Sequence, residues 1–383
     1  MRRRAFLASA AGIFGGLPSR GHAAAPSFHS AIEVVGDGRW IWIDPPKSKS
    51  GLLEPREFDF KASIAIRGTG GSTQLTSATV LPAQYPEQKI SNVQIFTEGC
   101  KARIRKLGPT VNQLYVAASS VAAGQVIRAV AQFRMTLYKQ YHAFERENFP
   151  RQQKINRQAL KHHIGWSPGI HIRSKLVRDL AEEVGGHFDH PWDKAEAFKK
   201  WVWKNIEMKV GRYTSVLRAI RNRKGDCEER ASVFAAMCRV SGIPTRSVWV
   251  PNHVWAEFFL HDNQGRGYWI PAHTSGYRWF GFTGVHEVVL QKGDLVVEPE
   301  RKRRSRFLHD WMKCAGTRPV TQYTSQLTPL SSTDGSDPGP GGRVKPAKGP
   351  WVPGRHRLDK YFRDGAEQEN SPYKKKKLAT ASP

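Results

Sequence analysis

The first part of the chain alternates between apolar and polar residues with a period of two. The stretches 58–66 and 127–137 each place apolar side chains at every second position. Successive side chains of a strand point to opposite faces, so this pattern is typical of strands with one buried face. Gly, Pro and Asn residues separate such runs and suit turns. The pattern predicts an all-β, sandwich-like domain over residues 27–149.

After a polar, basic connector at residues 150–170, the apolar spacing changes to that of helices. Apolar side chains three and four positions apart lie on one face of a helix and can be buried together. Helices are predicted over Arg173–Val184, from Pro191 onward and from Cys227 onward, and strands over Ser247–Pro251, His253–Leu260 and Tyr268–Ala272. Helices followed by an antiparallel sheet predict an α+β core over residues 171–315.

Beyond about Gly316 the periodic signal fades. The run Pro338 to Gly342 and the four lysines at 374–377 are typical of a chain that buries little apolar surface. Residues 316–383 are therefore predicted to form a disordered basic tail.

Composition excludes global disorder and leaves the class of partner open. Of the 383 residues 39% are hydrophobic, and 60 Lys and Arg against 33 Asp and Glu give a formal charge of +27. Such a charge favours contact with polyanions, including anionic lipids and envelope polymers. No zinc-finger, helix-turn-helix or RNA-binding motif accompanies it, so the sequence does not favour a nucleic-acid-binding protein. The basic tail is the predicted contact with an anionic envelope or membrane surface.

The N-terminus has the three parts of a cleavable export signal. Three arginines at 2–4 precede a short apolar stretch, and alanines stand at 23–25. The apolar stretch is too short to span a bilayer, and no later segment has about 18 unbroken apolar residues. The order Arg3-Arg4-Ala5-Phe6-Leu7 resembles the twin-arginine motif R-R-x-F-L. Residues 1–25 are predicted to be a twin-arginine signal peptide, and the protein to be bacterial and periplasmic or secreted.

Four cysteines are too few for a disulfide scaffold in a chain of this length: Cys100, Cys227, Cys238 and Cys314. Asp226 suits the N-cap of the third helix, and Glu229 would complete a capping box. Cys227 would then occupy the first helical position, where free N–H groups and the helix dipole favour the thiolate. The pattern predicts that Cys227 is a nucleophile and that Cys238, on the apolar face, is a packing residue.

A cysteine nucleophile needs a base, and the base needs a residue that orients it. The strand that begins at His253 places His253, Trp255 and Glu257 on its less apolar face. If residues 262–265 form the turn of a hairpin, paired positions sum to about 526 or 527. His273 or its neighbour would then lie opposite His253, within ~5.5 Å at Cα. The sequence thus predicts His253 as the base and His273 as its orienting partner.

These residues resemble a known family. G-D-C-E-E-R-A at 225–231, S-G-I-P-T-R at 241–246, H-V-W-A-E-F-F at 253–259 and Y-W-I-P-A at 268–272 are similar to the core of the transglutaminase-like superfamily. The resemblance covers about residues 170–275 and implies a papain-like α+β core with a Cys-His-Asp triad. Cys227 matches the nucleophile and His253 the base. The third position departs from the pattern, because His273 stands where the family usually has Asp.

The resemblance implies acyl transfer on protein or peptide amides, with hydrolysis favoured over amine cross-linking because no acceptor site is evident. His273 can orient His253, but a neutral imidazole cannot supply the negative charge that stabilises an imidazolium. Tyr213 and Trp255 are candidate substrate-binding residues, and Trp255 could instead be core.

Two alternatives accompany this interpretation. The sequence has no C-x-x-C, no H-E-x-x-H and no set of four ligands at zinc spacing, so no metal and no cofactor is predicted. The other alternative is a catalytically inactive binding module, a transglutaminase-like core anchored to anionic envelope components. The His at 273 supports that alternative, whereas an activated thiol at Cys227 would count against it.

Overall fold

The computed structural model describes residues 32–35, 39–42, 50–108, 110–142, 144–275, 280–283, 286–300 and 302–330 of the chain. The predicted export signal at 1–25 and residues 331–383 of the predicted tail lie outside the described residues. Within the described ranges, no helix is both long and apolar enough to cross a membrane.

The N-terminal part is built from strands. In chain order they are β1 (Ile32–Val35), β2 (Arg39–Trp42), β3 (Ser50–Arg67), β4 (Gln74–Leu81), β5 (Gln88–Glu98), β6 (Lys101–Lys106), β7 (Asn112–Ala118) and β8 (Val126–His142). Strands β3, β8 and β5 are neighbours in one antiparallel sheet, and β4, β7 and β6 are neighbours in a second. Their inner faces share one buried apolar cluster, so the predicted all-β domain is present.

The period-two pattern explains this burial. In β3 the buried side chains are the alternate apolar ones: Phe58, Phe60, Ala62, Ile64 and Ile66. In β8 the same alternation buries every second residue from 127 to 137. One face of each strand therefore contributes to the core, as the pleat requires.

The middle of the chain combines helices with short strands. The helices are a 3₁₀ turn (Arg146–Asn148), α1 (Lys161–Ile164), α2 (Lys175–Gly185), α3 (Pro191–Asn205), α4 (Val216–Asn222) and α5 (Cys227–Val240). The strands are β9 (Glu207–Met208), β10 (Lys224–Gly225), β11 (Thr245–Val250), β12 (His253–His261), β13 (Gly267–Ala272), β14 (Gln291–Lys292), β15 (Val296–Glu298) and β16 (Arg303–Ser305). The predicted α+β class is confirmed.

Helix α5 is the centre of this part. It packs against β11 and β12 of an antiparallel sheet with the order β13-β12-β11-β14, and α2, α3 and α4 contact it from other sides. Phe234 of α5 and Phe258 of β12 are both fully buried, with ring centroids 6.5 Å apart. Every residue from Cys227 to Arg239 is buried, because the sheet and the helices cover all faces of α5.

The end of the described chain returns to the sandwich, which differs from the predicted boundary between residues 315 and 316. Strand β17 (Trp311–Ala315) pairs with β4, and β18 (Val320–Pro329) pairs with β3. Each sheet thereby gains a fourth strand. The stretch 316–330 was predicted to belong to the disordered tail, and its strand was missed. The sequence of β18 is rich in Thr, Gln and Ser and has little apolar periodicity, as suits an edge strand.

Buried charges connect the sandwich to the sheet that carries β12. Lys292 Nζ donates to Glu257 Oε1 at 2.8 Å and also pairs with Glu87 of the sandwich. Arg246 Nε donates to the other oxygen of Glu257 at 2.8 Å. The side chains of Lys292 and Glu257 are 3% and 1% exposed. A buried charge is tolerated only when it is paired, so these groups fix how the two parts meet.

Candidate active site

The thiol of Cys227 is positioned by the start of α5. Asp226 is the N-cap: its Oδ1 accepts from the Glu228 N–H at 2.8 Å, and its own N–H donates to Glu229 Oε2 at 3.0 Å. The predicted capping box is therefore present, and Cys227 is the first helical residue. This cap holds the Cys227 backbone in one conformation where the helix meets the sheet.

The fold brings Cys227 to the first residues of β12. The backbone N–H of Val254 donates a hydrogen bond to the Cys227 sulfur. His253 directly precedes Val254 and is the first residue of β12. Cys227 therefore lies at the start of β12, next to the residue that follows His253 in the chain, although 26 positions separate Cys227 from His253.

His273 is close to His253, but by a different register from the predicted one. Ala256 pairs with Ala272, so paired positions sum to 528 and His273 continues the ladder opposite Trp255. The predicted sum of 526 or 527 is wrong because five residues, 262–266, separate the paired ends. Asp262 stabilises that longer loop by accepting from the Gln264 and Arg266 N–H groups, both at 2.9 Å.

The imidazoles nevertheless share one aromatic stack. The ring of His273 lies on Trp255 with centroids 4.9 Å apart, and its centroid is 6.1 Å from that of His253. His273 is completely buried. Burial, followed by the charges of His253 and Lys199, lowers its pKa well below the ordinary value. His273 is therefore a neutral imidazole at pH 7.

The surroundings of Cys227 favour the thiol rather than the thiolate. The residue is fully buried, and burial, followed by the nearby carboxylates of Asp226 and Glu228, raises the pKa of the thiol well above its usual value. This differs from the prediction that the helix N-terminus favours the thiolate of Cys227. A dipole at a helix end contributes at most about 2 kcal/mol, whereas desolvation can shift a buried group by several pKa units.

The two predicted substrate-binding residues have different surroundings. Trp255 packs with residues of both the sandwich and the sheet: Ala83, Tyr85, Val248, Val250 and Val289. It is therefore a core residue that also stacks on His273. Tyr213 is half-buried, and its hydroxyl donates to the Gly169 carbonyl at 2.9 Å.

Sequence reasoning missed the residue that faces Tyr213. The guanidinium of Arg306 lies over the Tyr213 ring, with Cζ 3.1 Å from the centroid, and it pairs with the carboxylate of Glu228. Sequence reasoning also missed Lys199, whose charge acts on His273. No local signal identifies either contact, because Arg306 is 78 positions from Glu228 and Lys199 is 74 positions from His273.

The described residues do not group into a metal site: nowhere in them do three or more His, Cys, Asp or Glu side chains stand together as ligands. All four cysteines are free thiols, and Cys227 and Cys238 are the two that are buried.

Comparison with known proteins identifies the helical part and its sheet. The family model described as the transglutaminase-like superfamily matches residues 178–279, the stretch from α2 to just beyond β13. This stretch is a transglutaminase-like domain. The transglutaminase-like domain contains Cys227, His253 and His273; sandwich strands β3 to β8 precede it, and β17 and β18 follow it.

Two further similarities extend the comparison. A curated relative, the peptide-N(4)-(N-acetyl-β-glucosaminyl)asparagine amidase of Yarrowia lipolytica, is 33% identical over 76 residues, which are 20% of this chain and 20% of that protein. The chain thus matches only about a fifth of that relative's length. The solved structure of a proposed cysteine protease from Cytophaga hutchinsonii has a TM-score of 0.51 at 15% identity, covering 74% of this chain and 93% of that one. This likeness covers most of this chain, including residues outside the transglutaminase-like domain, and concerns the fold.

Proposed function

We propose that this chain is a cysteine-dependent acyl-transfer enzyme that hydrolyses amide bonds of proteins or peptides. The observation that carries the proposal is the contact between the Cys227 sulfur and the N–H of Val254, directly beside His253, inside a transglutaminase-like domain. A cysteine with an adjacent imidazole is the minimal arrangement for nucleophilic attack on a carbonyl.

The acylation step uses His253 first as a base and then as an acid. His253 accepts the thiol proton as the Cys227 sulfur attacks the amide carbonyl carbon. The resulting oxyanion lies at the N-terminus of α5, where the Cys227 backbone N–H is a donor. When the C–N bond breaks, His253 gives the proton to the leaving nitrogen, and a thioester with Cys227 remains.

The second step regenerates the thiol. His253 takes a proton from water, the hydroxyl oxygen attacks the thioester carbonyl, and the C–S bond breaks as the sulfur regains a proton. His273 is a positioning residue in this scheme, because it contacts the site through the stack with Trp255 and lies 6.1 Å from His253 between ring centroids. As a neutral group His273 supplies no negative charge to the imidazolium of His253, in contrast to the Asp of the usual triad.

The comparisons support this assignment of reaction class. The curated relative is named as an amidase, and the similar solved structure as a proposed cysteine protease. Both names describe cleavage of a C–N bond at a carbonyl. We further propose export from a bacterial cytoplasm, which rests on the R-R-x-F-L order at residues 3–7.

A binding module that has lost turnover is the second candidate. Two observations favour it: the Cys227 thiol is fully buried with a raised pKa, and His273 replaces the carboxylate. The experiment below separates it from an enzyme.

The test compares matched variants on the full chain with a casein digest and an N-glycosylated peptide as probes. In the natural chain we expect product release and a mass increase on Cys227 from the trapped thioester. Product release should fall at least ~100-fold in Cys227→Ala and His253→Ala, and the mass increase should fall at least ~100-fold in His253→Ala. Cys238→Ala is the matched control, because Cys238 is also fully buried on α5 but lies on its apolar face. Turnover that survives in Cys227→Ala would overturn the mechanism. No turnover, with Cys227 alkylated no faster than Cys238, would identify the binding module.

A further inference from the structure

A side chain from a distant part of the chain pairs with Glu228, the residue that follows Cys227. Residues 302–310, here called the strap, comprise β16 and the segment that joins it to β17, and they lead from the transglutaminase-like part back to the sandwich. Arg306 of the strap pairs with Glu228, the residue next to Cys227. The side chains of Arg306 and Glu228 are 14% and 5% exposed, so the pair is almost removed from water.

The groups around the Arg306 guanidinium form a site for a cation. The face of the Tyr213 ring is 3.1 Å from Arg306 Cζ, and the Trp249 ring is 5.7 Å away on another side. Aromatic faces attract guanidinium and ammonium groups, and a carboxylate supplies the opposite charge. Tyr213 is fixed in turn by its hydrogen bond to Gly169 at 2.9 Å.

The strap also packs against residues that contact the buried Cys227 thiol. Phe307 stacks near Trp249 with centroids 4.9 Å apart, and Trp249 pairs with Val254, whose N–H contacts the Cys227 sulfur. Cys227, Phe307 and Leu308 belong to one buried apolar cluster. An amide substrate needs access to a sulfur that is 0% exposed, so residues of this cluster must move for the proposed reaction.

Gln291 holds the strap by its backbone. Its side-chain amide donates to the Arg306 carbonyl at 2.7 Å and accepts from the Leu308 N–H at 3.1 Å. The strap is also held at its two ends, where Ser305 Oγ donates to Glu298 at 2.7 Å and Asp310 accepts from Thr79 Oγ1 at 2.6 Å. A cationic ligand can replace the Arg306 guanidinium at Glu228, because the buried carboxylate then keeps a positively charged partner.

The local charge agrees with a cationic ligand. Three acidic residues, Asp226, Glu228 and Glu229, flank Cys227 in a chain whose formal charge is +27. Burial raises the pKa of Glu228, and Arg306 opposes that rise, so a cation at this position favours its carboxylate form. A neutral or acidic ligand would leave that charge uncompensated in a buried setting.

We propose that Glu228, Tyr213 and Trp249 form a subsite for an organic cation beside Cys227, and that Arg306 occupies this subsite as an internal stand-in that keeps the thiol covered. The ligand is a guanidinium or ammonium group, either on a basic side chain of the peptide substrate or on an amine that accepts the acyl group. The binding of a substrate or acceptor at this subsite rests on the proposed function. The position of Arg306 among Glu228, Tyr213 and Trp249 is a feature of the fold and does not depend on that function.

The first experiment needs no substrate. It measures the rate of Cys227 alkylation by iodoacetamide in the full chain, alone and with arginine amide or its neutral isostere citrulline amide. We expect Arg306→Ala to raise the rate at least tenfold, because the strap loses its attachment to Glu228. Arginine amide should slow labelling of that variant several-fold, whereas citrulline amide should not.

The controls keep the result interpretable. Arg306→Lys retains the charge and should label within about twofold of the natural chain, and Arg304→Ala, an exposed position in the same strap, should be unchanged. Glu228→Gln should also raise labelling but should abolish protection by arginine amide. Labelling of Arg306→Ala at the natural rate, with or without arginine amide, would overturn the proposal, and so would equal protection by both amides.

A second experiment distinguishes a cation on the peptide substrate from a cation on an acceptor amine. It also distinguishes failure of the proposed enzyme from failure of the proposed subsite. Peptides with Arg or citrulline beside the cleaved amide test whether the ligand is a side chain of the substrate. Agmatine tests whether the ligand is an acceptor amine, because an acceptor takes the place of water in the second step and adds its mass to the acyl product. Protection by arginine amide without turnover on any probe would leave the subsite standing and remove the proposed enzyme. Turnover with unchanged labelling in Arg306→Ala would leave the enzyme standing and remove the subsite.

Discussion

At the scale of single residues, the reactivity of Cys227 depends on competing effects that act on one thiol. The capping box and the helix N-terminus favour the thiolate, whereas burial and neighbouring carboxylates favour the neutral form. While Cys227 is covered, burial and the neighbouring carboxylates change the pKa of the thiol more than the helix N-terminus does. Burial removes water from the whole thiolate charge, whereas the partial charge at the helix end compensates for only part of that loss. In the proposed mechanism, proton transfer to His253 during the attack avoids a free thiolate before the substrate arrives.

A second buried charge gives a prediction about stability. Although burial raises the pKa of Glu257, Lys292 and then Arg246 lower it to about 2. A lowered pKa stabilises the folded state above the ordinary value of about 4.3, and this contribution is lost as the pH falls toward 2. We expect Glu257→Gln to lower the free energy of unfolding by roughly 3 kcal/mol at pH 7, because Arg246 loses its buried acidic partner and Lys292 keeps only Glu87.

Urea unfolding of both chains between pH 7 and pH 3 measures this effect. The difference between the natural chain and Glu257→Gln should shrink below pH 4. Glu196→Gln is the control, because its partner Lys200 is 46% exposed and the pair follows an i,i+4 spacing. Exposed pairs contribute less than about 1 kcal/mol, so the control should change little. Equal effects of the two substitutions at pH 7 would contradict the assigned role of Glu257.

At the scale of elements, long-range strand pairing completes the sandwich. Strand β18 pairs with β3 over ten positions, from Val320 opposite Arg67 to Pro329 opposite Phe58. Tyr323 and Leu327 of β18 pack against the sandwich core, and the Tyr323 hydroxyl bonds with Ser77 Oγ at 2.9 Å. The last described strand is thus part of the first domain, with the transglutaminase-like part inserted between its strands.

Truncation tests this arrangement. A chain that ends at residue 330 should melt within about 2 °C of the full chain, whereas one that ends at residue 318 should melt at least ~5 °C lower, since β3 loses a neighbour and apolar surface becomes exposed. Differential scanning calorimetry gives both values. If the chain ending at residue 318 kept the melting temperature of the full chain, β18 would contribute nothing to the fold.

At the scale of the whole molecule, the net charge and the local charge have opposite signs. The chain carries +27, yet acidic residues surround Cys227. The field of the whole protein therefore attracts polyanions to its surface, while the covered site favours a cation. If the predicted contact with an anionic envelope uses the basic surface, it would not compete with the proposed cationic ligand at Glu228.

The run of lysines at 374–377 gives a prediction about that surface. Each Lys near an anionic membrane contributes about 1 kcal/mol, so changing all four to Gln should weaken binding to phosphatidylglycerol vesicles at least tenfold. Changing all four to Arg keeps the charge and is the matched control. Co-sedimentation at low and high salt measures the effect. Salt-independent binding, or equal binding of the Gln and Arg variants, would show that these lysines do not anchor the chain.

Much of the candidate site follows from local sequence. The start of α5 at Cys227, its capping box, and the strands that begin at His253 and end at Ala272 were all predictable, because caps and apolar periodicity act over a few residues. The hairpin register was not, because the hydrogen bonds of Asp262 determine the length of the loop. Short elements such as α4 and β14 lack a periodic signal and were missed.

The sequence by itself determined the α+β class and the likeness to the transglutaminase-like superfamily, and it predicted that Cys227 and His253 act together. Only the tertiary structure decided that β18 completes the sandwich, that Cys227 is covered, and that Arg306 lies against Glu228 and Tyr213. The physical reason is range. Caps, periodicity and motifs depend on neighbours along the chain, whereas burial and ion pairing depend on residues that meet only after the chain has folded.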